Sequence, residues 1–373
     1  MLWPKLVLQS PSDSWMWWAY QESLGKAYAG KKYQRERWHL RALHNKDILD
    51  SAALELGTRL SQMHGRADVR LGSIWVDHTP QVKAKYIPLP VAKSSRVKCE
   101  LADLAIVTMA SFGGRPVAPG DVRAVLVQAK VTSQPGSLDS AAPGTSSSKE
   151  RNLLERCSSK LEVWTGTGTS TKLGDFDLGC SPPDLGLGKY SQYLTIPRVI
   201  VPPPASVHPY QSIWPTSRAS QIGTALSLGE ALFDMLNVPA STIGYPLTGP
   251  SVAADWQKLI RRLTALYDKE VVNRFTKKGA AAFPRTQQSS LHSCFMSREP
   301  GSQYLSLEAN SLLWEDMSSA FGDGAGGDGG RGKISHAEND APGPQIPILL
   351  IQANIGHPDY IRPSENESPR GSG

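Results

Sequence analysis

Two short apolar stretches carry side chains that could do chemistry together. Residues 99–107 read CELADLAIV and residues 124–131 read AVLVQAKV. Asp103 has Leu101 on one side and Leu104 to Val107 on the other, and Lys130 stands near the end of a β-branched run. Such runs go inside sheets. An unpaired ammonium there costs several kcal/mol even after relaxation. Lys130 must therefore reach water along its stem, pair with an acid or face a polar cleft. Strand alternation puts Gln128 and Lys130 on one face and Ala129 on the other. If the two stretches are antiparallel neighbours, the Asp103 carboxylate and the Lys130 ammonium share a sheet face near one end. A hard-metal site needs this oxygen-rich set. Mg²⁺ (or Mn²⁺) would be anchored by Asp103, with the Gln128 side-chain oxygen and the Ala129 carbonyl as neutral ligands and Glu55 completing the group. Lys130 would hold and polarise an attacking water and offset charge developing on phosphorus. The plainer alternative is a structural ion pair with a neighbouring amide.

The elements that must deliver these groups can be read around them. Residues 46–63 form an amphipathic helix with Leu49, Ala53, Leu56, Leu60 and Met63 on one stripe, Asn45 or Asp47 as its cap and Glu55 beside the stripe. Strands are expected at 72–78, 101–109 and 122–131, and the turn-rich 111–121 suits a hairpin between the last two. Residues 133–148 and 165–190 read as low-complexity insertions, the first a flexible linker. A helix is expected at 149–164 and a strand at 193–201. Segments 218–238 and 251–276 are helical in pattern, the second with Trp256, Ile260, Leu263, Leu266 and Tyr267 on one face. A last strand is expected at 346–355.

The implied organisation has an aromatic and basic segment at 1–44, with a helix around Glu22–Leu43, and an α/β core at 45–210. A mostly helical region covers 211–321, a Gly/Asp-rich linker 322–345, a terminal strand 346–357 and an unfolded tail 358–373. The tryptophans and the Lys31, Lys32, Arg35, Arg37 and Arg41 cluster could face nucleic acid. The alternative is that the tryptophans pack inward and the charges form a solvated face. GDGAGG at 322–327 and the GxxxxGK match at 327–333 are not phosphate loops. No buried strand precedes them, no helix follows, and Ile334 stands where a hydroxyl is needed.

Composition sets outer bounds. The chain has 373 residues, 40 % hydrophobic and 20 % charged, enough to bury a sizeable core and too apolar for a disordered chain. Net charge is +6, with a sequence pI near 9.0, which mildly favours a polyanionic partner. Cys99, Cys157, Cys180 and Cys294 are dispersed, as expected for free thiols in a reducing compartment. No window approaches the roughly 18–20 apolar residues of a membrane span, and the N-terminus lacks a signal-peptide pattern. A cytoplasmic protein with no membrane association is expected.

An acid opening one strand, a hairpin, a QxK ending the next strand and a glutamate-bearing helix before them resemble the PD-(D/E)xK (restriction-endonuclease-like) nuclease superfamily, over roughly residues 46–201. The order α–β–β–β–α–β is similar to its core. The resemblance implies a mixed central sheet flanked by helices and Mg²⁺-dependent phosphodiester hydrolysis, usually of DNA, in restriction, repair or anti-phage defence. Position by position, Asp103 matches the metal-binding aspartate, Gln128 the second acidic position, Lys130 the catalytic lysine and Glu55 the helix glutamate. Two departures stand out: Gln128 replaces a carboxylate, and Ala102 stands where a proline is customary. Arg151, Arg156 and Lys160 on the following helix could meet backbone phosphates, and His78 could assist at the cleft. A homodimer or a partner protein is compatible with this reading. The rival is a nuclease-like fold kept as a non-catalytic DNA-binding or structural protein, which the neutral Gln128 favours. A third reading is a metal-independent interaction protein built on the tryptophan-rich N-terminus.

Overall fold

Leu104–Phe112 and Val122–Thr132 pair antiparallel, from Leu104 opposite Val127 to Met109 opposite Val122. Nearly every side chain on both strands is buried, on both faces, which is why they read as apolar runs and not as alternating patterns. These strands sit inside a mixed α/β architecture. The structure is a computed structural model that describes residues 14–27, 35–74, 80–86, 95–113, 120–134, 136–164, 172–179, 186–198, 208–214, 225–238, 241–247, 249, 254–264, 295–297 and 346–356.

In chain order the helices are α1 (Ser14–Ala27), α2 (Arg35–Ala42), α3 (Lys46–His64), α4 (Ser146–Arg156), α5 (Leu228–Leu236) and α6 (Ala254–Thr264). The strands are β1 (Ala67–Ile74), β2 (Gln81–Tyr86), β3 (Ser95–Glu100), β4 (Leu104–Phe112), β5 (Val122–Thr132), β6 (Cys157–Trp164), β7 (Lys172–Asp177), β8 (Ser191–Pro197), β9 (Gln211–Ile213), β10 (Leu226–Ser227), β11 (Tyr245–Pro246), β12 (Phe295–Ser297) and β13 (Ile348–Ile355). The main sheet runs β10-β9-β8-β5-β4-β13-β1-β12, with β11 also on β5. Strand β8 is parallel to β5, β13 is parallel to β4, and β1 is antiparallel to β13. A second, antiparallel sheet runs β3-β2-β6-β7.

The main sheet separates two cores. One buries Ile106, Val125, Val127 and Ala129 with α1, α3 and α5. The other buries Val107, Leu126, Leu153, Leu161, Trp256 and Ile260, joining α4, α6 and the small sheet to the opposite face.

Several expectations hold. Helix α3 starts at Asn45, whose side chain accepts from the Asp47 N–H, and it buries Leu49, Ala53, Leu56 and Leu60, although Met63 is exposed. The hairpin joins β4 and β5, and the terminal strand exists as β13. Trp15, Trp17 and Trp38 are buried, so the N-terminal aromatic residues pack inward, with Trp18 exposed. Cys99 and Cys157 are buried. Among the described residues no helix is long and apolar enough to cross a membrane.

Other expectations are corrected. The helix expected at 149–164 is α4, 146–156, followed directly by β6. From Cys157 the pattern has period two: Cys157, Leu161 and Val163 are buried while Lys160 and Glu162 are exposed. Lys160 is therefore on a strand. Residues 136–145, expected as flexible linker, are an ordered loop that caps α4 through Thr145. The insertion at 165–190 contains β7. Strands β2 and β3 have no strong apolar run to announce them, being amphipathic strands rich in lysine. The helix around Glu22–Leu43 is two helices, the first beginning at Ser14. Strand β1 begins at Ala67, five residues before the expected start. Within 211–321 the described residues include β9 to β12 as well as α5 and α6. His78, Cys180, Cys294, Leu266, Tyr267, the two glycine-rich matches at 322–333 and the tail after 358 lie outside the described residues.

Candidate functional site

The site grows from the open end of the β4–β5 hairpin. Just before β4, the Asp103 N–H donates to the carbonyl of Val127, the residue paired with Leu104, at 2.9 Å, which tethers Asp103 to the end of β5. Cross-strand partners share a face, as do residues two apart on one strand. Asp103, Gln128 and Lys130 therefore stand together on the face that carries the second core. The Asp103 Oδ2 accepts from the Gln128 Nε2 at 2.5 Å and from the Ala129 N–H at 2.8 Å. Thus Ala129 meets the aspartate with its N–H, and Gln128 with its amide nitrogen. The Gln128 Oε1 is buried and accepts no hydrogen bond among the described residues.

Lys130 is paired. Its Nζ lies 2.6 Å from the Glu150 Oε2 on α4, with only 15 % of the lysine side chain and 3 % of the glutamate exposed. Glu150 is held in turn by the Ser146 hydroxyl, which donates to Oε1 at 2.8 Å. A second acid comes from α2, where the Glu36 Oε1 accepts from the Val131 N–H at 3.1 Å. Neither Glu36 nor Glu150 is among the site residues expected from the sequence. The spacing does hold a signal: Glu150 lies three and four residues before buried Leu153 and Leu154, and Glu36 four before buried Leu40. An acid on an apolar helical stripe points inward.

Glu55 is placed differently from the expectation. It stands half-buried on α3, which packs on β1 and β13. The acids whose charge acts on Asp103 and Lys130 are Glu36, Glu100 and Glu150. Helix α2, not α3, lies against β5, so the helical carboxylate comes from there.

This crowding sets the proton affinities. Removal from water pushes the Asp103 carboxyl up to about 8; the Lys130 charge opposes the rise, and Glu36, Glu100 and Glu150 add to it. For Lys130, burial favours the neutral amine, but Glu36, Asp103 and Glu150 outweigh it and hold the ammonium above its ordinary range. The acids thus favour the charged form of Lys130, while burial favours the protonated form of Asp103.

The groups around Lys130 are mostly acidic. Glu36, Asp103 and Glu150 act on one ammonium, Glu100 adds its charge at Asp103, and an amide oxygen is buried without a partner among the described residues. Among those residues no three His, Cys, Asp or Glu side chains stand close enough to share one ion. Such an ion would take few protein ligands, Asp103 and the Gln128 amide foremost, with water and phosphate oxygens completing its shell, as is usual for Mg²⁺.

Beside Lys130 opens a cleft of about 290 Å³, walled by Asp139, Thr145, Arg151, Tyr193 and Arg198. The ordered loop before α4 forms one wall. The Asp139 carboxylate accepts from the Ser133 N–H and hydroxyl and from an Arg198 Nη at 2.9 Å, and an Arg151 Nη donates to the Asp139 carbonyl at 3.0 Å. Arg151 therefore lines the cleft. Arg156 and Lys160, one turn and more beyond it, do not line it. Nothing in the sequence points to Arg198 or Tyr193, which arrive on and just after β8.

Comparison with family models, with curated proteins and with solved structures finds no match to this chain.

Proposed function

We propose that the chain is a divalent-metal-dependent phosphodiesterase acting on DNA, with its site at the adjoining ends of β4 and β5. The supporting observations are that Asp103 and Gln128 join on the sheet face that also carries Lys130, and that Lys130, though not Asp103 or Gln128, lines a cleft with Arg151 and Arg198. A divalent ion bound there would polarise a phosphoryl oxygen and make water more acidic. Asp103 and the Gln128 amide would hold that ion. Lys130, kept cationic, orients water with its ammonium hydrogens and offsets negative charge gathering on the phosphorus oxygens. Arg151 and Arg198 bind the flanking phosphate by charge-assisted hydrogen bonds. Glu150 holds the ammonium itself in place.

The test is incubation of the full chain with supercoiled and linear DNA in Mg²⁺, Mn²⁺ or EDTA, beside Asp103→Asn and Lys130→Ala. Cleavage should require metal and fall at least about 100-fold in both variants, a loss typical of removing a group that stabilises transition-state charge. Cleavage that survives both substitutions, or none with either metal, overturns the reading.

One observation favours a second reading, a non-catalytic DNA-binding protein. The Lys130 ammonium is already engaged by Glu150 at 2.6 Å. That reading expects salt-dependent DNA binding, indifferent to EDTA, and no strand breakage.

A further inference from the structure

The outer face of the small sheet carries an arrangement that folding alone disfavours. In the β2–β3 ladder Lys83 stands opposite Lys98, and Lys85 opposite Arg96. All four point away from the core, because their neighbours Val82, Ala84, Val97 and Cys99 are the buried ones. Lys85, Arg96 and Lys98 are exposed and Lys83 is half-exposed. Like charges directly opposite on neighbouring strands destabilise a sheet. Here two such pairs are stacked, giving a two-by-two array of cations. Its pitch is about 4.8 Å between strands and about 6.7 Å along them.

The rest of that face is balanced differently. On β6 and β7, Lys160 lies opposite Asp177 and Glu162 opposite Asp175, and Lys172 pairs with Asp175 at 2.7 Å. Glu162 also faces Lys83 across the β2–β6 ladder and offsets that one member of the array. Glu100, the next outward residue after Lys98 on β3, places one anion at the end of the array, so the surplus positive charge of the β2–β3 half lies chiefly with Lys85, Arg96 and Lys98. Lysines do guard edge strands against pairing, and β3 is an edge. Strand β2, however, is interior, lying between β3 and β6, and an edge guard does not call for cations there.

We propose that this β2–β3 face is a docking surface for the phosphate backbone of double-stranded DNA. Repelling cross-strand cations are relieved by a polyanion, and a hydrogen-bonded ribbon holds them side by side. A membrane surface fits less well, because the described outward positions of β2 and β3 are charged or amide-bearing and offer no apolar side chain to insert. A single strand fits less well too: Trp164 is the one aromatic residue described on this face, and the Lys83 ammonium covers it at 4.2 Å. Stacking platforms for unpaired bases need free aromatic faces. Strand β3 ends at Glu100, three residues before Asp103, so the face lies on the strand that leads into the candidate site. The inference stands without cleavage, since backbone contacts need no metal.

The experiment measures binding of a fluorescent duplex of about 25 base pairs to the full chain in EDTA, across a salt series. The logarithmic salt slope falls by about 0.9 for each phosphate that is no longer neutralised. The variant with Lys83, Lys85, Arg96 and Lys98 all changed to Gln should lose about three units of slope and at least about 30-fold in affinity at physiological salt. Its melting temperature should stay level or rise, because the repulsion is gone. Lys172→Gln, on the balanced half, should leave the slope unchanged. If the fourfold variant fails to fold, Lys85→Gln and Lys98→Gln singly decide, each expected to remove between half a unit and one unit. An unchanged slope overturns the proposal, as does wild-type protein that ignores the duplex and binds anionic vesicles or an acidic polypeptide.

Discussion

Lys130 and Glu150 form a pair that neither can leave cheaply. Removing one partner of a buried ion pair typically costs about 3–5 kcal/mol, because the other charge is stranded. Glu150→Gln should therefore lower unfolding free energy by about 3 kcal/mol in denaturant titration. The Lys130→Met/Glu150→Leu double variant should recover much of that loss, since apolar replacement of a buried pair is often near neutral. Recovery would show a structural pair, while its effect on DNA cleavage reports separately on the proposed chemistry. Asp103 makes a pH prediction of definite sign. Its folded proton affinity lies near 8 and its ordinary value near 3.8, so between those values the native state holds a proton that the unfolded chain releases. Stability should fall as pH rises from about 4 to about 8, by up to about 1.4 kcal/mol per unit from this group. Asp103→Asn should flatten that slope. Lys130, raised above its ordinary value, contributes stability that is lost only as pH climbs through its own alkaline range.

Helix α4 owes its position to the turn that passes beneath its end. Gly186 has φ of +86°, and a Cβ there would come within 2.2 Å of the Leu154 carbonyl oxygen. Its N–H donates to the Cys157 carbonyl at the point where α4 becomes β6. Both the left-handed backbone and the close approach exclude a side chain. Gly186→Ala should destabilise the protein by about 2–4 kcal/mol, measured by chemical denaturation, by analogy with other strained or overpacked sites. Because α4 carries Glu150 and Arg151, the same variant should loosen the cleft and weaken binding of a phosphate-bearing ligand. At the other end of α4, the Thr145 hydroxyl accepts from the Ser148 N–H. Thr145→Ala should cost about 1 kcal/mol, the usual value of such a cap.

The last described strand lies deep in the main sheet. Strand β13 sits between β1 and β4, far from both in sequence, and buries Ile348, Leu349, Leu350 and Ile351. Both faces of the sheet depend on it, because Leu349 and Ile351 belong to one core and Ile348 and Leu350 to the other. Ile351→Ala should cost about 2–5 kcal/mol. A chain ending at residue 345 should show no cooperative unfolding transition by circular dichroism. Closing so long a loop before the central strand can dock predicts slow refolding.

Local chemistry makes some of this legible without coordinates. The apolar runs of β4, β5 and β13, the turn residues between β4 and β5, and the capped stripe of α3 are short-range signals, and each becomes the expected element. That Asp103, Gln128 and Lys130 share a sheet face follows from alternation once the hairpin is assumed. Period misleads where two patterns meet without punctuation: α4 passes into β6 at Cys157 with no glycine or proline between them. Partners drawn from distant chain segments are not legible at all. Glu36 and Glu150 reach Val131 and Lys130 from helices on opposite faces of the sheet, and Arg198 reaches Asp139 across 59 residues. Which acid neutralises a buried ammonium is decided by which helix packs over it. That choice rests on the summed burial of many apolar side chains, and no residue near Lys130 encodes it.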